Sequence, residues 1–352
     1  MQYRTLGNTD IQVSVIGLGT MTWGHQNSEA DAHRQLDFAL SRGVTLVDTA
    51  EMYPTPTRAE TWGTTERYIG SWLARTGRRH EIVLASKIVG PARQPQQARH
   101  IRDGRSHHDR KNLVAALDGS LDRLQTDYID LYQLHWPDRS TNYFGQRDYP
   151  WVGEEESVAI EETLAVLADL VKAGKIRHIG VSNETPWGVA EFLKQSERLG
   201  LPRIVSIQNP YSLLNRLFEV GLSEFSHREG VGLLAYSPLA FGVLSGKYLD
   251  GAQPEGARLS ANSPYNRFAR YGSAEAERAV GGYVELAQRH GLSSAQLALA
   301  FVVSRPFVSS ALSGATSLAQ LDENLASLDL DLGPELLAEI NAIHARLPNP
   351  AP

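Results

Sequence analysis

Short runs of Val, Ile and Leu recur along the chain at Val13–Gly17, Thr45–Asp48, Ile82–Lys87, Ile129–His135, Ile176–Val181, Ile204–Gln208, Val231–Tyr236 and Val308–Leu312. They lack the clean period-two alternation of half-exposed strands and read as parallel strands covered on both faces. Between them lie stretches with apolar residues at helical spacing. Glu29–Arg42 follows Ser28 as a cap and stops before Gly43. Arg110–Leu124 sets Leu113, Leu117, Leu121 and Leu124 on one face. Ile160–Lys172 ends at Ala173-Gly174, and Pro186–Leu199 opens with proline in its first turn. Ala274–His290 and Ser293–Ser304 both follow the seventh run, and Pro334–Arg346 closes the chain. Eight strand–helix alternations predict an α/β protein, a (β/α)8 TIM barrel, and favour it over a doubly wound open sheet. No linker rich in Pro, Gly or Ser divides the chain, so 1–352 is expected to be a single domain. Tyr3–Leu6 and Ile11–Ser14 flank the turn Gly7-Asn8, which predicts a hairpin plugging the barrel floor.

Three long connections break this rhythm, roughly Gly90–Asp109, Pro137–Ser157 and Tyr248–Gly272. Each follows a strand end, so each belongs to the C-terminal face, where long loops act as lids or binding loops. The middle one carries Tyr143, Phe144, Tyr149 and Trp151. These either wall a pocket or bury one another in a local cluster.

The net charge of −6 and the lack of a basic block argue against nucleic acid as a partner. The absence of cysteine excludes disulfides, thiolate catalysis and cysteine-held zinc. No secretory leader and no apolar run near the roughly 20 residues of a membrane span is seen, so the expected location is the cytoplasm. The adjacent His107 and His108 read as solvated loop residues, and no metal site is expected.

Chemistry concentrates at successive strand ends. Asp48 closes the second run, Lys87 the third and His135 the fourth, with Tyr53 five residues past Asp48. In a barrel these ends converge. A free tyrosine titrates near ~10 and is a weak acid at neutral pH. Lys87 beside it is expected to lower that value, with Asp48 holding the ammonium charged. His135 can donate a hydrogen bond to a carbonyl oxygen. The set suits protonation of a polarised carbonyl, and it holds no nucleophile–base pair for acyl transfer. The Gly17-Leu18-Gly19 pair fails the dinucleotide fingerprint, because its third glycine falls at Thr22.

The segments Asp48-Thr49-Ala50-Glu51-Met52-Tyr53, Ala85-Ser86-Lys87 and Leu134-His135-Trp136-Pro137 resemble the aldo-keto reductase pattern. The likeness continues through Gly174–Asn183, Gln208-Asn209-Pro210-Tyr211, Tyr236-Ser237-Pro238-Leu239 and Gly314-Ala315-Thr316, covering nearly the whole chain. Within that family it is similar to the branch that includes β subunits of voltage-gated potassium channels. The resemblance implies carbonyl reduction by hydride transfer from NADPH, with Tyr53 as proton donor, Lys87 and Asp48 as its tuners, and His135 orienting the substrate. It implies Gly19, Thr20, Met21 and Asp48 beside the nicotinamide, Ser182, Asn183 and Gln208 on its carboxamide, and Tyr236 stacked on its ring. Ser237, Pro238, Leu239, Gly242 and Lys247 match the segment along the diphosphate. Gly314, Thr316, Gln320, Glu323 and Asn324 match the adenosine end. Ala315 to Asn324 holds no Lys or Arg, so Lys247 or Arg258 is expected to meet the 2′-phosphate. Trp23 and Trp136, with Tyr53 and His135, are expected to meet a small-molecule carbonyl substrate. The family holds monomers, dimers and larger rings, which leaves a homo-oligomer open. Two other functions fit the same residues: a lyase forming a Schiff base on Lys87, and an NADPH-binding regulatory subunit with slow turnover.

Overall fold

The computed structural model describes residues 1–93, 98–260, 263 and 269–352. The apolar runs become eight parallel strands: β3 (Ile16–Gly19), β4 (Leu46–Asp48), β5 (Val83–Ile88), β6 (Ile129–Leu134), β7 (Ile176–Ser182), β8 (Ile204–Pro210), β9 (Gly232–Tyr236) and β10 (Val308–Ser313). They pair in sequence order, and β10 returns to β3 to close the barrel. Two short strands precede them, β1 (Tyr3–Thr5) and β2 (Gln12–Ser14), paired antiparallel. The first barrel strand therefore differs from the expected Val13–Gly17. Val13 and Ser14 belong to the hairpin, and the barrel strand starts at Ile16. Ser14 marks the corner: its hydroxyl donates to the Ile16 carbonyl and accepts from the Thr45 amide.

The hairpin seals the floor, as its sequence predicts. Leu6 and Val13 pack with Leu46, Ala85, Leu131, Leu234 and Leu312, which line the lower lumen. Gly7 takes φ +58, and a Cβ there would sit 2.2 Å from the Val205 carbonyl oxygen, so only glycine seats the turn this closely.

Among the described residues, ten α-helices surround the barrel: α1 (Glu29–Ser41), α2 (Thr64–Thr76), α3 (Arg110–Leu124), α4 (Ile160–Lys172), α5 (Pro186–Leu199), α6 (Phe218–Glu229), α7 (Ala274–Arg289), α8 (Ser294–Val303), α9 (Leu318–Ala326) and α10 (Pro334–Arg346). Ser28 and Asp31 form a reciprocal cap on α1, and Thr185 caps α5 ahead of Pro186. Helices α2, α6 and α9 were not foreseen from the pattern. Neither α2 nor α6 has a side-chain cap, and α9 is too short to establish a period. Among the described residues, no helix is long and apolar enough to cross a membrane.

Helix α2 packs on α3 through a close backbone approach. A Cβ on Gly70 would lie 2.2 Å from the Arg123 carbonyl oxygen. Backbone cannot yield as a side-chain tip can, so Gly70→Ala is expected to destabilise the protein by about 1–3 kcal/mol. A shift in the urea midpoint without a change in slope measures it. An unchanged midpoint contradicts the packing argument.

Candidate active site

Alternation along the strands builds the site. Leu46, Ala85 and Leu131 face the lumen low in the barrel, and two residues further on the same faces carry Asp48, Lys87 and Gln133. The lumen thus changes from apolar to polar over one strand repeat. His135 continues the Leu131–Gln133 face just past β6, its amide bonded to the Ile88 carbonyl. Tyr53 arrives on the loop after β4.

Asp48 is the hub. Lys87 Nζ donates to Asp48 Oδ2 at 2.6 Å and to the Thr49 carbonyl at 2.8 Å. Gln208 Nε2 donates to Asp48 Oδ1 at 2.7 Å and Gln133 Nε2 to the same oxygen at 3.2 Å. Lys87 is fully buried. Its Nζ lies 5.0 Å from the Tyr53 ring centre, and the Tyr53 ring meets that of His135 edge-on at 5.8 Å. The four residues therefore converge, as strand-end logic predicts.

Their electrostatics correct one expectation. Tyr53 is not brought down towards neutrality. Burial drives its phenol well above the usual range, and Asp48 pushes in the same direction. The ammonium of Lys87 is itself lowered by burial, with Asp48 opposing. Tyr53 thus faces a compensated pair rather than a lone cation, and keeps its proton. His135 is held well below its ordinary value, by burial first and then by Lys87. It is neutral at physiological pH and able to donate one N–H.

The tetrad opens into a cleft of about 990 Å³ on the C-terminal face. Gly19, Thr20, Met21, Asp48, Tyr53, His135, Trp136, Ser182, Asn183, Gln208, Tyr236, Ser237, Pro238, Leu239, Gly242, Lys247, Arg258, Gly314, Thr316, Gln320, Glu323 and Asn324 all line it. Lys87 lies beneath rather than on the lining. Trp23 does not line the cleft either. It is fully buried in the core, its indole N–H donating to Gln35, so it is in no position to meet a substrate.

Backbone strain collects along this cleft. Asn183 and Ser237 have φ +52 and +53, a left-handed conformation that costs a non-glycine residue about 1–3 kcal/mol. Asn183 is fixed by donating to the His135 carbonyl at 2.9 Å and accepting from the Tyr236 hydroxyl at 2.7 Å. Ser182 donates to the Gln208 carbonyl at 2.7 Å. At the far end Asn324 Nδ2 donates to Ser313 Oγ, and the Thr316 amide donates to Gln320. Gly242 has φ +90, and a Cβ there would stand 3.1 Å from Lys247 Nζ. That glycine keeps the ammonium against the backbone floor. Burial lowers the Lys247 ammonium, and Arg258 nearby adds to the effect. Two cations beside glycine-lined backbone suit a ligand with several phosphates.

The loops divide the expected roles. Phe144 lines the cleft, whereas Tyr143 packs with Val89, Ala98, Ile101 and Trp136 in a satellite cluster. Tyr149 and Trp151 are exposed and pack edge-on with each other at 5.0 Å. The first and third long connections include residues outside the described ones. His107 and His108 are not solvated: Asp138 accepts from the His108 amide and pairs with the His107 ring, and His108 is buried. Gln133 and Arg270 were missed by sequence reasoning. Counting by two from Leu131 finds Gln133. Nothing in the loop around Arg270 singles it out.

A model of the aldo/keto reductase family matches residues 15–345. Protein tas of Escherichia coli (strain K12) is 54% identical over 352 residues, all of both chains. The uncharacterized oxidoreductase YrpG of Bacillus subtilis (strain 168) is 32% identical over 345 residues, 97% of this chain and 96% of that one. A probable voltage-gated potassium channel subunit beta of Oryza sativa subsp. japonica is 31% identical over 347 residues, with the same coverage of each.

Proposed function

From the premise that the chain belongs to the aldo/keto reductase family, as an NADP-dependent oxidoreductase, we propose that it reduces aldehydes or ketones to alcohols with NADPH, using Tyr53 as the acid. The observation that carries this reading is the convergence of a protonated Tyr53 and a neutral His135 on one cleft above the Lys87–Asp48 pair. Bound NADPH supplies the hydride that reaches the carbonyl carbon. His135 donates a hydrogen bond that orients the carbonyl oxygen. Tyr53 gives that oxygen its proton as negative charge builds there, and solvent later returns one to the phenolate. The Lys87 ammonium, 5.0 Å from the Tyr53 ring centre, would favour the phenolate while it lasts, with Asp48 opposing.

Ser182, Asn183 and Gln208 would hold the nicotinamide amide, Tyr236 its ring, and Gly19, Thr20 and Met21 its edge. Ser237, Pro238, Leu239, Gly242 and Lys247 would follow the diphosphate, and Gly314, Thr316, Gln320, Glu323 and Asn324 the adenosine. The strained Asn183 and Ser237 support this assignment, since strain of this kind gathers at ligand-holding positions. The Schiff-base reading loses support because Lys87 is fully buried and committed to Asp48 and Thr49.

The decisive assay is loss of NADPH absorbance with a panel of aldehydes and ketones. No turnover with any of them overturns the proposal. For the phosphate, Arg258→Ala is expected to raise the NADPH dissociation constant about tenfold or more and to change that of NADH much less. Equal weakening of both, read by fluorescence titration, removes Arg258 from the 2′-phosphate.

A further inference from the structure

We infer that the carbonyl substrate carries a carboxylate, and that Arg270 is its anchor. The inference deepens the reductase reading and rests on it. Arg270 lines the cleft on the third long loop. Its guanidinium lies within hydrogen-bonding reach of the hydroxyls of Tyr236 and Tyr271. The Tyr236 hydroxyl already donates to Asn183, so towards Arg270 it acts as acceptor. The other side of the guanidinium packs on the middle loop. Gly145 has φ +85, and a Cβ there would sit 2.6 Å from Arg270 Nε. Arg270 therefore bridges the two long loops that flank the mouth.

What it lacks is a counter-charge. Among the described residues no carboxylate forms an ion pair with Arg270, and residues 94–97, 261–262 and 264–268 contain no Asp or Glu. Two phenols satisfy part of a five-donor fork but neutralise none of its charge. A half-enclosed guanidinium without a counter-charge is costly, and a carboxylate is the group that matches its fork through two parallel bonds. The other cations of the cleft stand differently: Lys247 lies against Gly242 and Arg258 over the Phe241 ring, which meets the Tyr271 ring at 5.5 Å.

The geometry also says which part of the substrate arrives there. Phe144, the neighbour of Gly145, meets Trp136 edge-on at 5.7 Å, and Trp136 lies 5.1 Å from His135. Two aromatic residues, Phe144 and Trp136, thus link the loop that holds Arg270 to the group that orients the carbonyl. Met52, Trp136 and Phe144 give apolar walls between. The substrate class that fits is an oxo-acid or semialdehyde with an apolar or aromatic spacer between carbonyl and carboxylate. The competing source of the anion is the diphosphate of the cofactor.

The test compares wild type with Arg270→Gln on para-carboxybenzaldehyde and its methyl ester. The wild type is expected to favour the acid, and the variant to lose at least about tenfold in the ratio of kcat/KM for acid over ester. A loss that falls equally on both substrates overturns the inference, whatever its size. Calorimetry with benzoate, and benzamide as neutral control, on the NADPH-loaded protein gives a readout independent of turnover. Benzoate is expected to bind the wild type at least tenfold more tightly than the variant, with no such difference for benzamide. If Arg270→Gln instead raises the NADPH dissociation constant and leaves benzoate binding unchanged, the anion is the diphosphate and the inference fails. If wild type reduces neither aldehyde, the panel assay decides the reductase reading, and the benzoate titration still decides the role of Arg270.

Discussion

Tyr53→Phe is expected to lower carbonyl reduction about 10²–10⁴-fold and to leave NADPH affinity near that of the wild type. The expectation follows from what the hydroxyl does and does not touch. The ring stays, and with it the edge-on contact to His135 and the position over Lys87 Nζ. The positions proposed to hold the cofactor along β7, β8 and β9 are untouched. Only the proton is removed from the place where an alkoxide would form. Because burial and Asp48 hold the phenol well above its ordinary value, Tyr53 is fully protonated through the neutral range. The wild-type rate should therefore show no inflection from loss of this proton below pH ~9. Steady-state NADPH consumption and a fluorescence titration read the two halves of the prediction. Turnover within a few-fold of wild type would sink the acid role of Tyr53.

Asp48→Ala has the largest expected effect on the fold. It leaves Lys87 fully buried with only the Thr49 carbonyl as partner and deprives Gln208 and Gln133 of their shared acceptor. Removing one member of a buried ion pair costs about 3–5 kcal/mol, because the other charge stays unsolvated. The denaturation midpoint should fall accordingly, and turnover should be lost. Adding Lys87→Met to that variant removes the stranded charge. The double variant is expected to recover most of the stability and none of the activity. If Lys87→Met gives no recovery, the cost arises from the glutamine network rather than from the stranded ammonium. Coupling between the two substitutions in a double-mutant cycle measures which.

Much of this architecture was legible in the residues. The eight apolar runs located the barrel, and Gly7-Asn8 located the hairpin, because both patterns are local. Asp48, Lys87 and His135 stood out as charged or titratable groups at the ends of runs that otherwise suit a core. What escaped was set by contacts distant in sequence. Trp23 looked suited to a substrate wall, but Gln35 and the core claim it. The field at Tyr53 depends on how completely Lys87 and Asp48 cancel, which spacing along a chain does not report. Arg270 acquires meaning only when the Gly145 loop folds against it. Helix α2 begins at a left-handed Gly63 without a side-chain cap and so carried no start signal.

The floor of the barrel ties together residues far apart in the sequence. Arg4 donates to the carbonyls of Val303, Arg305 and Val308, and β3 pairs with β10. These partners are separated by about three hundred residues. Until β10 is in place, the hairpin lacks the Arg4 acceptors and β3 lacks one of its two neighbours. Closure of the lumen therefore waits for β10. Before it, the inner leucines of the early strands are open to water and to other chains, so a chain lacking β10 is expected to aggregate.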